Sequence, residues 1–459
     1  MEKNAKKSTF DDYSLREVPK EQKYGMYNMF LTLSGSFGAI AVLFAGGVLG
    51  SGLNFGQSVV AVISGSIILA VIGSLTGVIG AYSGVSTYVG WRHPFGRWGG
   101  KLLGFALITV TTGIGWFAVE SWFFGVVMNE IYPNSPFFSV GAAALWGGIL
   151  FIISTYIGYR ALSLLSYLIL PQHVWLVAAG VLISVSLHGG WNKVLTAIPV
   201  QPVSLLSAIT ATVGLYIAGS LIAPDITRFA RRPRDAVASW SLHMFVFYPF
   251  LILGAIAIVL LSGSVIITED MLKLGMGIGV LLIILLGQWI INTVNLYSGS
   301  LSFTNFTNIS RDKSSLIVGI IGTILAGYWG FVAGTSLTPF EQFITILGSL
   351  LPAAGGAVFA EFFVVSPRLK HIKDPFKRFS FEPGKSYPEI NVVGILSVAI
   401  GGTFGILQSL GILLPNFGIA AVNALIISFV LYILLIYVFN AGRIKYELGE
   451  YRFIGEELK

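Results

Sequence analysis

The stretch Gly214-Leu-Tyr-Ile-Ala-Gly-Ser-Leu-Ile-Ala-Pro224 is apolar enough to cross a bilayer, yet it carries two glycines and ends on a proline. Unwound backbone at membrane depth is tolerated only where it lines a cavity, because lipid offers no partner to its amides and carbonyls. A counterpart lies five apolar stretches earlier, in Leu33-Ser-Gly-Ser-Phe-Gly-Ala-Ile-Ala41 and then Gly46-Gly-Val-Leu-Gly-Ser-Gly52. Either segment alone is equally well read as glycine permitting close helix packing. Inverted five-helix repeats, however, place a broken helix first in each half, with the substrate near the midplane between them. The matched spacing predicts that arrangement.

Composition sets the class. The chain has 459 residues, 55% hydrophobic and 11% charged, with a mean hydropathy of +0.81, whereas soluble domains carry roughly 25% charged residues. An all-α polytopic membrane protein is predicted. It has no cysteine, which excludes disulfides and thiol catalysis. Residues 1–24 are polar where a signal peptide has its apolar core, so the first span is expected to act as an uncleaved insertion signal. Runs of about 20 apolar residues are expected near 26–52, 57–83, 100–129, 137–160, 163–187, 203–227, 238–263, 274–299, 314–333, 339–365, 389–412 and 416–440. With these twelve spans, 26 of the 28 Lys and Arg fall on one side, leaving Lys193 and Lys273 opposite. The positive-inside rule then predicts that both termini are cytoplasmic. It also explains the net charge of +7 without a nucleic-acid partner; the Arg231-Arg-Pro-Arg234 run belongs to the same signal.

The third and eighth spans hold the polar residues that a spanning helix does not need. Glu120 lies near the middle of the apolar segment Lys101 to Glu130, four residues after Trp116, so a carboxylate and an aromatic share one helix face. Intramembrane ionisable groups mark substrate or ion pathways. The eighth span reads Gly287-Gln-Trp-Ile-Ile-Asn-Thr-Val-Asn-Leu-Tyr-Ser298. Asn292 and Asn295 are three apart, and Gln288 lies one turn before Asn292. Amides donate and accept, as the edge of a nucleobase does; interhelical bonding within the bundle is the competing account of each residue taken singly.

At this point the chain resembles the cytosine, purine and hydantoin permeases of the nucleobase:cation symporter-1 group, with spacing nearest to the purine-cytosine permeases. The likeness rests on Gly46-Gly-Val-Leu-Gly-Ser-Gly-Leu53, Gly115-Trp-Phe117, Asp225-Ile-Thr-Arg-Phe229, Asn295-Leu-Tyr-Ser298, Phe303-Thr-Asn305 and Leu351-Pro-Ala-Ala-Gly-Gly356 with Glu361. It implies a LeuT-like 5+5 inverted-repeat core, and uptake of a planar heterocycle coupled to a cation. The expected divisions are an N-tail (1–24), two five-helix repeats (25–187 and 203–365), a cytoplasmic linker (366–388), two accessory helices (389–440) and a C-tail (441–459).

Residue by residue, the resemblance places the stacking ring at Trp116 and a second aromatic at Tyr216, with Ala218 beside it. The base-binding amides become Gln288, Asn292 and Asn295. Glu120 stands where relatives carry Gln or Asn; a carboxylate only accepts, which favours an N–H-rich amino edge over the imide edge of uracil. Gly113 falls where bacterial cytosine permeases place Gln, which argues against an identical cytosine pose. Sodium-coupled relatives ligate the ion with two hydroxyl residues at the positions of Ile290 and Ile291, plus carbonyls of the broken first span, here those of Gly35 and Gly38. Isoleucine supplies no oxygen, so protons are favoured over sodium as the coupling ion, with Glu120 as first carrier and His173 as second. His243 has no stronger claim than His173. Asp225 with Arg228, and Glu361 with Arg368, are candidate gating groups at span ends, and Pro352 is a candidate hinge.

No cofactor or metal is expected. An enzyme would need a nucleophile–base pair or metal ligands at membrane depth, and a channel would need charge rings or filter repeats; neither is present. The rival readings are a transporter of the same architecture for an amino acid, amine or thiamine-like vitamin, and sodium-coupled uptake of hydantoin, uracil or allantoin. A plasma-membrane monomer with a small-molecule substrate is expected.

Overall fold

The computed structural model describes residues 13, 16–36, 40–155, 159–199, 202–263, 271, 274–275, 277–380, 387–414 and 417–442. Among these no strand occurs; one isolated backbone bridge joins Tyr24 to Ala230. The first apolar stretch forms α1 (Met26–Ser36) and α2 (Ile40–Gly52), followed by α3 (Phe55–Ser83) and α4 (Arg97–Ile131). Next come α5 (Val140–Thr155) and α6 (Tyr159–Leu187). The sixth stretch divides into α7 (Leu205–Leu221) and α8 (Ala223–Thr227). Then follow α9 (Pro233–Ser262), α10 (Gly277–Thr307), α11 (Arg311–Val332) and α12 (Thr338–Leu369). The accessory pair is α13 (Val392–Ser409) and α14 (Ala420–Gly442). Nine helices among the described residues are long and apolar enough to cross a bilayer. The stretches α1–α2, α5 and α10 occupy the other three expected positions.

The break between α7 and α8 is real and compensated. Ile222 leaves the helical region (φ −88°, ψ 9°), and Pro224 sits in the first turn of α8, where its missing N–H costs nothing. Thr76 of α3 donates to the carbonyl of Ser220 at 2.6 Å, and Asp225 N–H closes onto the carbonyl of Ile222 at 2.8 Å. A side chain from a neighbouring helix thus satisfies backbone freed by the break, as lipid requires. In the first stretch, residues 37–39, Gly38 among them, lie outside the described residues.

Two glycine readings are corrected. The Gly46–Gly52 run does not interrupt α2, which is helical throughout; a Cβ at Gly46 would collide with Ala255 of α9. Gly214 likewise lies inside α7, pressed against the carbonyl of Ile344 on α12, and Gly348 against that of Thr210. These glycines bring helices together, and the break comes seven residues after Gly214, once α7 has ended at Leu221.

Three segments are wound as π-helix: Phe105–Trp116 in α4, His243–Phe247 in α9 and Ala360–Leu369 in α12. Such turns are rare and concentrate at functional sites. The described parts of the stretch expected as a cytoplasmic linker, 366–380 and 387–388, contact the bundle. α12 continues to Leu369, and Phe379 is buried, stacked on Tyr82 at 5.3 Å and 18°. Arg97 N–H donates to Pro388 and Trp98 N–H to Glu389, and the Arg97 and Glu389 side chains pair.

Gly113 of α4 and Gly299 of α10 meet backbone to backbone; a Cβ at Gly113 would lie 2.8 Å from Gly299 Cα and 2.9 Å from Val318 Cγ1. Gly299→Ala is therefore expected to destabilise the protein by about 1–3 kcal/mol through overpacking. Gly25→Ala, with nothing within 4 Å of the added Cβ, is expected to change stability by less than about 0.5 kcal/mol. Thermal unfolding of the detergent-solubilised variants reads both; equal midpoints would refute the close-packing account.

Candidate functional site

A narrow cavity, with ≈ 30 Å³ open to a water-sized sphere, lies where α2, α4, α7 and α10 converge at the break. Trp116 and Tyr216 both line it, as do Glu120, Ala218 and Asn295. Trp116 ends the π-helical segment of α4, braced edge-on by Phe343 (5.2 Å, 76°) and Phe340 (6.2 Å, 73°). Tyr216 is backed by Tyr248 (5.2 Å, 62°), His243 (5.3 Å, 39°) and Trp240 (6.4 Å, 60°). Two supported rings facing one space form a slot for a flat ligand.

The polar groups of this slot are under-bonded. Glu120 is 1% exposed. Its carboxyl meets the backbone N–H of Ala41, in the first turn of α2, and the Gln288 side chain. Gln288 Nε2 also donates to the Glu120 carbonyl at 2.9 Å, and Asn292 Nδ2 donates to Ser121 Oγ at 3.1 Å. Gln288 and Asn292 therefore stand behind the slot and fix α4 to α10, while Asn295 reaches it. Glu120 Oε2, Gln288 Oε1, Asn292 Oδ1, Asn295 Nδ2 and Thr112 Oγ1 are all buried without a hydrogen-bond partner. Buried polar atoms in native proteins are almost always bonded to protein or ordered water, so Glu120 Oε2, Asn295 Nδ2 and Thr112 Oγ1, the three of these in the lining, are left for a ligand or water to bond. The lining carries one acid, Glu120, and no basic side chain.

Thr112 was not anticipated from the sequence. It precedes Trp116 by four residues, as Trp116 precedes Glu120, so the helical spacing that singles out Glu120 also puts Thr112 on the same face. Gly113 lies against Gly299, leaving no room there for the Gln of the resembling permeases.

Ile291 lines the slot and Ile290 is buried in the apolar core. The Thr293 hydroxyl donates to Trp289 O of its own helix at 2.8 Å. Gly35 does not line the slot; it is pressed against Ser166 of α6. His173 is buried on α6 and also does not line it.

Asp225 and Glu361, candidate gating groups from the sequence, sit at the basic end of the bundle, and both are fully buried. The Asp225 carboxylate accepts from Thr87 N–H (2.9 Å) and Tyr88 O–H (2.7 Å); Tyr88 O–H also points at the Ser298 carbonyl of α10 (2.8 Å). Burial, reinforced by the Asp225 charge, holds the Tyr88 phenol well above its ordinary pKa, so it remains a donor. Arg228 turns to the Asp225 main-chain carbonyl (3.2 Å), Tyr13 O (2.8 Å) and Tyr297 O–H (2.8 Å). Glu361 pairs with Lys370 (2.6 Å), where Arg368 was expected, and accepts from Ser366 (2.8 Å) and Tyr432 of α14 (2.9 Å). The reason is geometric: the last turns of α12 are π-wound, and they bring position 370 back to position 361. Pro352 begins the second segment of α12, after a turn at Leu351.

Residues 17–431 match the family described as permease for cytosine/purines, uracil, thiamine, allantoin. The chain is 27% identical over 426 residues to the cytosine permease of Escherichia coli (strain K12), covering 93% of this chain and 94% of that one. Among solved structures it is similar to Mhp1, a nucleobase-cation-symport-1 family transporter, in a closed conformation with bromovinylhydantoin bound (TM-score 0.75, 17% identity, 94% and 96% covered). It is also similar to inward-facing Mhp1 (TM-score 0.74, 16% identity, 92% of each chain). MhsT in complex with L-phenylalanine shares the fold at a TM-score of 0.54 and 14% identity, over 89% of this chain and 97% of that one. The architecture is thus the LeuT-like one.

Thr112→Val removes an unpaired buried hydroxyl, so it is expected to raise the stability of the ligand-free protein by about 1 kcal/mol while weakening ligand binding. A lower unfolding midpoint for this variant would show that the hydroxyl is already bonded within the protein.

Proposed function

We infer the function from one premise: this chain belongs to the family of permeases for cytosine/purines, uracil, thiamine and allantoin. It is a nucleobase-type cation symporter that works by alternating access, and it is not an enzyme. Within that class we propose import of a planar heterocycle bearing an amino edge, cytosine or a purine, coupled to protons.

The observation that carries the substrate reading is the orphaned pair in the slot. Glu120 Oε2 is an acceptor and Asn295 Nδ2 a donor, both buried and unbonded between Trp116 and Tyr216. An amino-bearing base complements that pair with an exocyclic N–H beside a ring acceptor; uracil can meet it through N3–H beside a carbonyl, so the pair selects a donor–acceptor edge and the second N–H of an amino group is what Glu120 adds in favour of cytosine or a purine. Stacking on each ring adds roughly 1–3 kcal/mol, by analogy with nucleic-acid proteins.

Proton coupling is supported by the apolar Ile290 and Ile291 and by a carboxyl with no basic neighbour in the lining. A buried carboxylate without a partner is strongly disfavoured, so Glu120 is the group on which a proton and a ligand N–H act together. We also propose, from the distribution of Lys and Arg, a plasma-membrane location with both termini cytoplasmic. The Asp225 and Glu361 networks would then close the cytoplasmic side, with Pro352 as hinge.

Uptake of radiolabelled cytosine, adenine, hypoxanthine and uracil into proteoliposomes, under separate proton and sodium gradients, tests the reading. Proton-driven uptake of an amino-bearing base is expected. Sodium-driven uptake of uracil, or transport of thiamine or an amine but no base, would overturn it. Glu120→Gln is expected to leave uptake without pH dependence and to relax base preference; an unchanged profile would remove Glu120 from the mechanism. Trp116→Ala is expected to raise KM by roughly 5- to 150-fold, the equivalent of one stacking contact, with expression retained. A variant that fails to express would instead make Trp116 a packing residue.

A further inference from the structure

His243 is a buried titratable side chain that the substrate slot does not use directly. It begins the π-helical segment His243–Phe247 of α9 and is 1% exposed. One edge of its ring shares a hydrogen bond with Ser34 of α1, Nδ1 to Oγ at 3.0 Å. Its face lies against Tyr216, centroid to centroid 5.3 Å with the planes at 39°. Tyr216 in turn is a wall of the slot. Ser34 sits in the last turn of α1, and the next described helix, α2, carries Ala41, which meets Glu120.

We propose that His243 is a positioning residue for transport, holding the end of α1 and the Tyr216 wall of the slot in one register so that the two move together. Three helices surround its ring. α1, α3 and α7 contribute no Asp, Glu, Lys or Arg along their whole lengths, so none of them supplies a counter-ion for an imidazolium. Among the described contacts, the titratable group facing the ring is Tyr216 from α7, with Tyr248 of α9 behind it, and Trp240 and Phe247 of α9 pack on the ring's other sides. The chamber suits a ring that bonds and packs, and this separates His243 from Glu120, on which the proton acts. The local π winding has a consequence here: the wider turn rotates His243 relative to the α-helical segments that flank it, which is how α9 serves α1 and α7 with one side chain.

The test uses the full chain in proteoliposomes with whichever base supports uptake, and a second readout that needs no substrate. Because the chain has no cysteine, Ala218→Cys introduces a single thiol in the slot wall, and its labelling rate by a small thiosulfonate reports how the slot opens. Loss of the hydrogen bond in Ser34→Ala or His243→Phe is expected to raise KM by roughly tenfold, the upper range for one buried bond, with Vmax and the pH profile little changed. The same variants are expected to alter labelling of Ala218→Cys severalfold. His243→Asn, which keeps a bonding group toward Ser34, is expected to recover most of the lost affinity. Wild-type KM and labelling in Ser34→Ala, or no advantage of Asn over Phe at position 243, would overturn the proposal. A shifted pH profile in the His243 variants would also overturn it, by making the ring a proton carrier. If no base is transported, the substrate reading falls while the labelling comparison still decides this one.

Discussion

Everything in this fold answers to the rule that a backbone amide or carbonyl at membrane depth must find its partner inside the protein. Regular helices comply through their own ladders and caps; the Asn54–Gln57 capping box that starts α3 is one such device. At Ile222 the chain departs from regularity, and its surroundings are arranged around that departure. Thr76 takes up the Ser220 carbonyl, and Asp225 N–H takes up that of Ile222. The same few residues then direct the slot above and the polar network below: Gly219 and Ile222 line the slot, while Asp225 and Arg228 bind the short helix Thr87–Gly90, α10 and Tyr13. A shift at the floor of the slot cannot occur without disturbing the bonds of Asp225, because three residues separate them and α8 is only one turn and a half long.

Much of the site was legible because its residues are chemically out of place. A carboxylate, three amides and a tryptophan in otherwise apolar helices carry their own signal; helical spacing put Trp116 and Glu120 on one face of α4, and it took the family resemblance to set Asn295 and Tyr216 beside them. Spacing did not reveal which amide reaches the slot. Gln288 and Asn292 share a helix with Asn295, but their bonds to the Glu120 carbonyl and to Ser121 depend on how α10 is rotated against α4. That rotation is set by the contact of Gly113 with Gly299, a tertiary fact.

The glycines were the least legible. Gly46 and Gly214 sit where apolar sequence and small residues suggest unwinding, yet each is helical and in contact with a facing helix. Sequence shows that a position lacks a Cβ; it does not show whether the space went to a turn or to a neighbour. The exchange of Arg368 for Lys370 as the partner of Glu361 has a similar origin, since π winding changes which residue returns to a given face and no sequence pattern announces it. His243 was passed over because a lone histidine near a span end has many bland explanations, and only its contacts with Ser34 and Tyr216 distinguish it.

The slot as it stands is poorly satisfied, and that property bears on how such a site can be both selective and reversible. Three buried polar atoms of its lining, Glu120 Oε2, Asn295 Nδ2 and Thr112 Oγ1, lack a protein partner, and each costs on the order of 1–3 kcal/mol when desolvated and unpaired. A ligand that bonds them recovers this cost only if its donors and acceptors match, so discrimination comes from what a wrong ligand leaves unpaired as much as from what the right one gains. The same deficit makes the empty slot unfavourable when closed, which biases a transporter without substrate against occluding. Trp116 and Tyr216 supply affinity with little regard to which heterocycle lies between them, since every such ring has a π-face. Selection is thereby left to Glu120, Asn295 and Thr112, and the carboxyl ties that selection to charge.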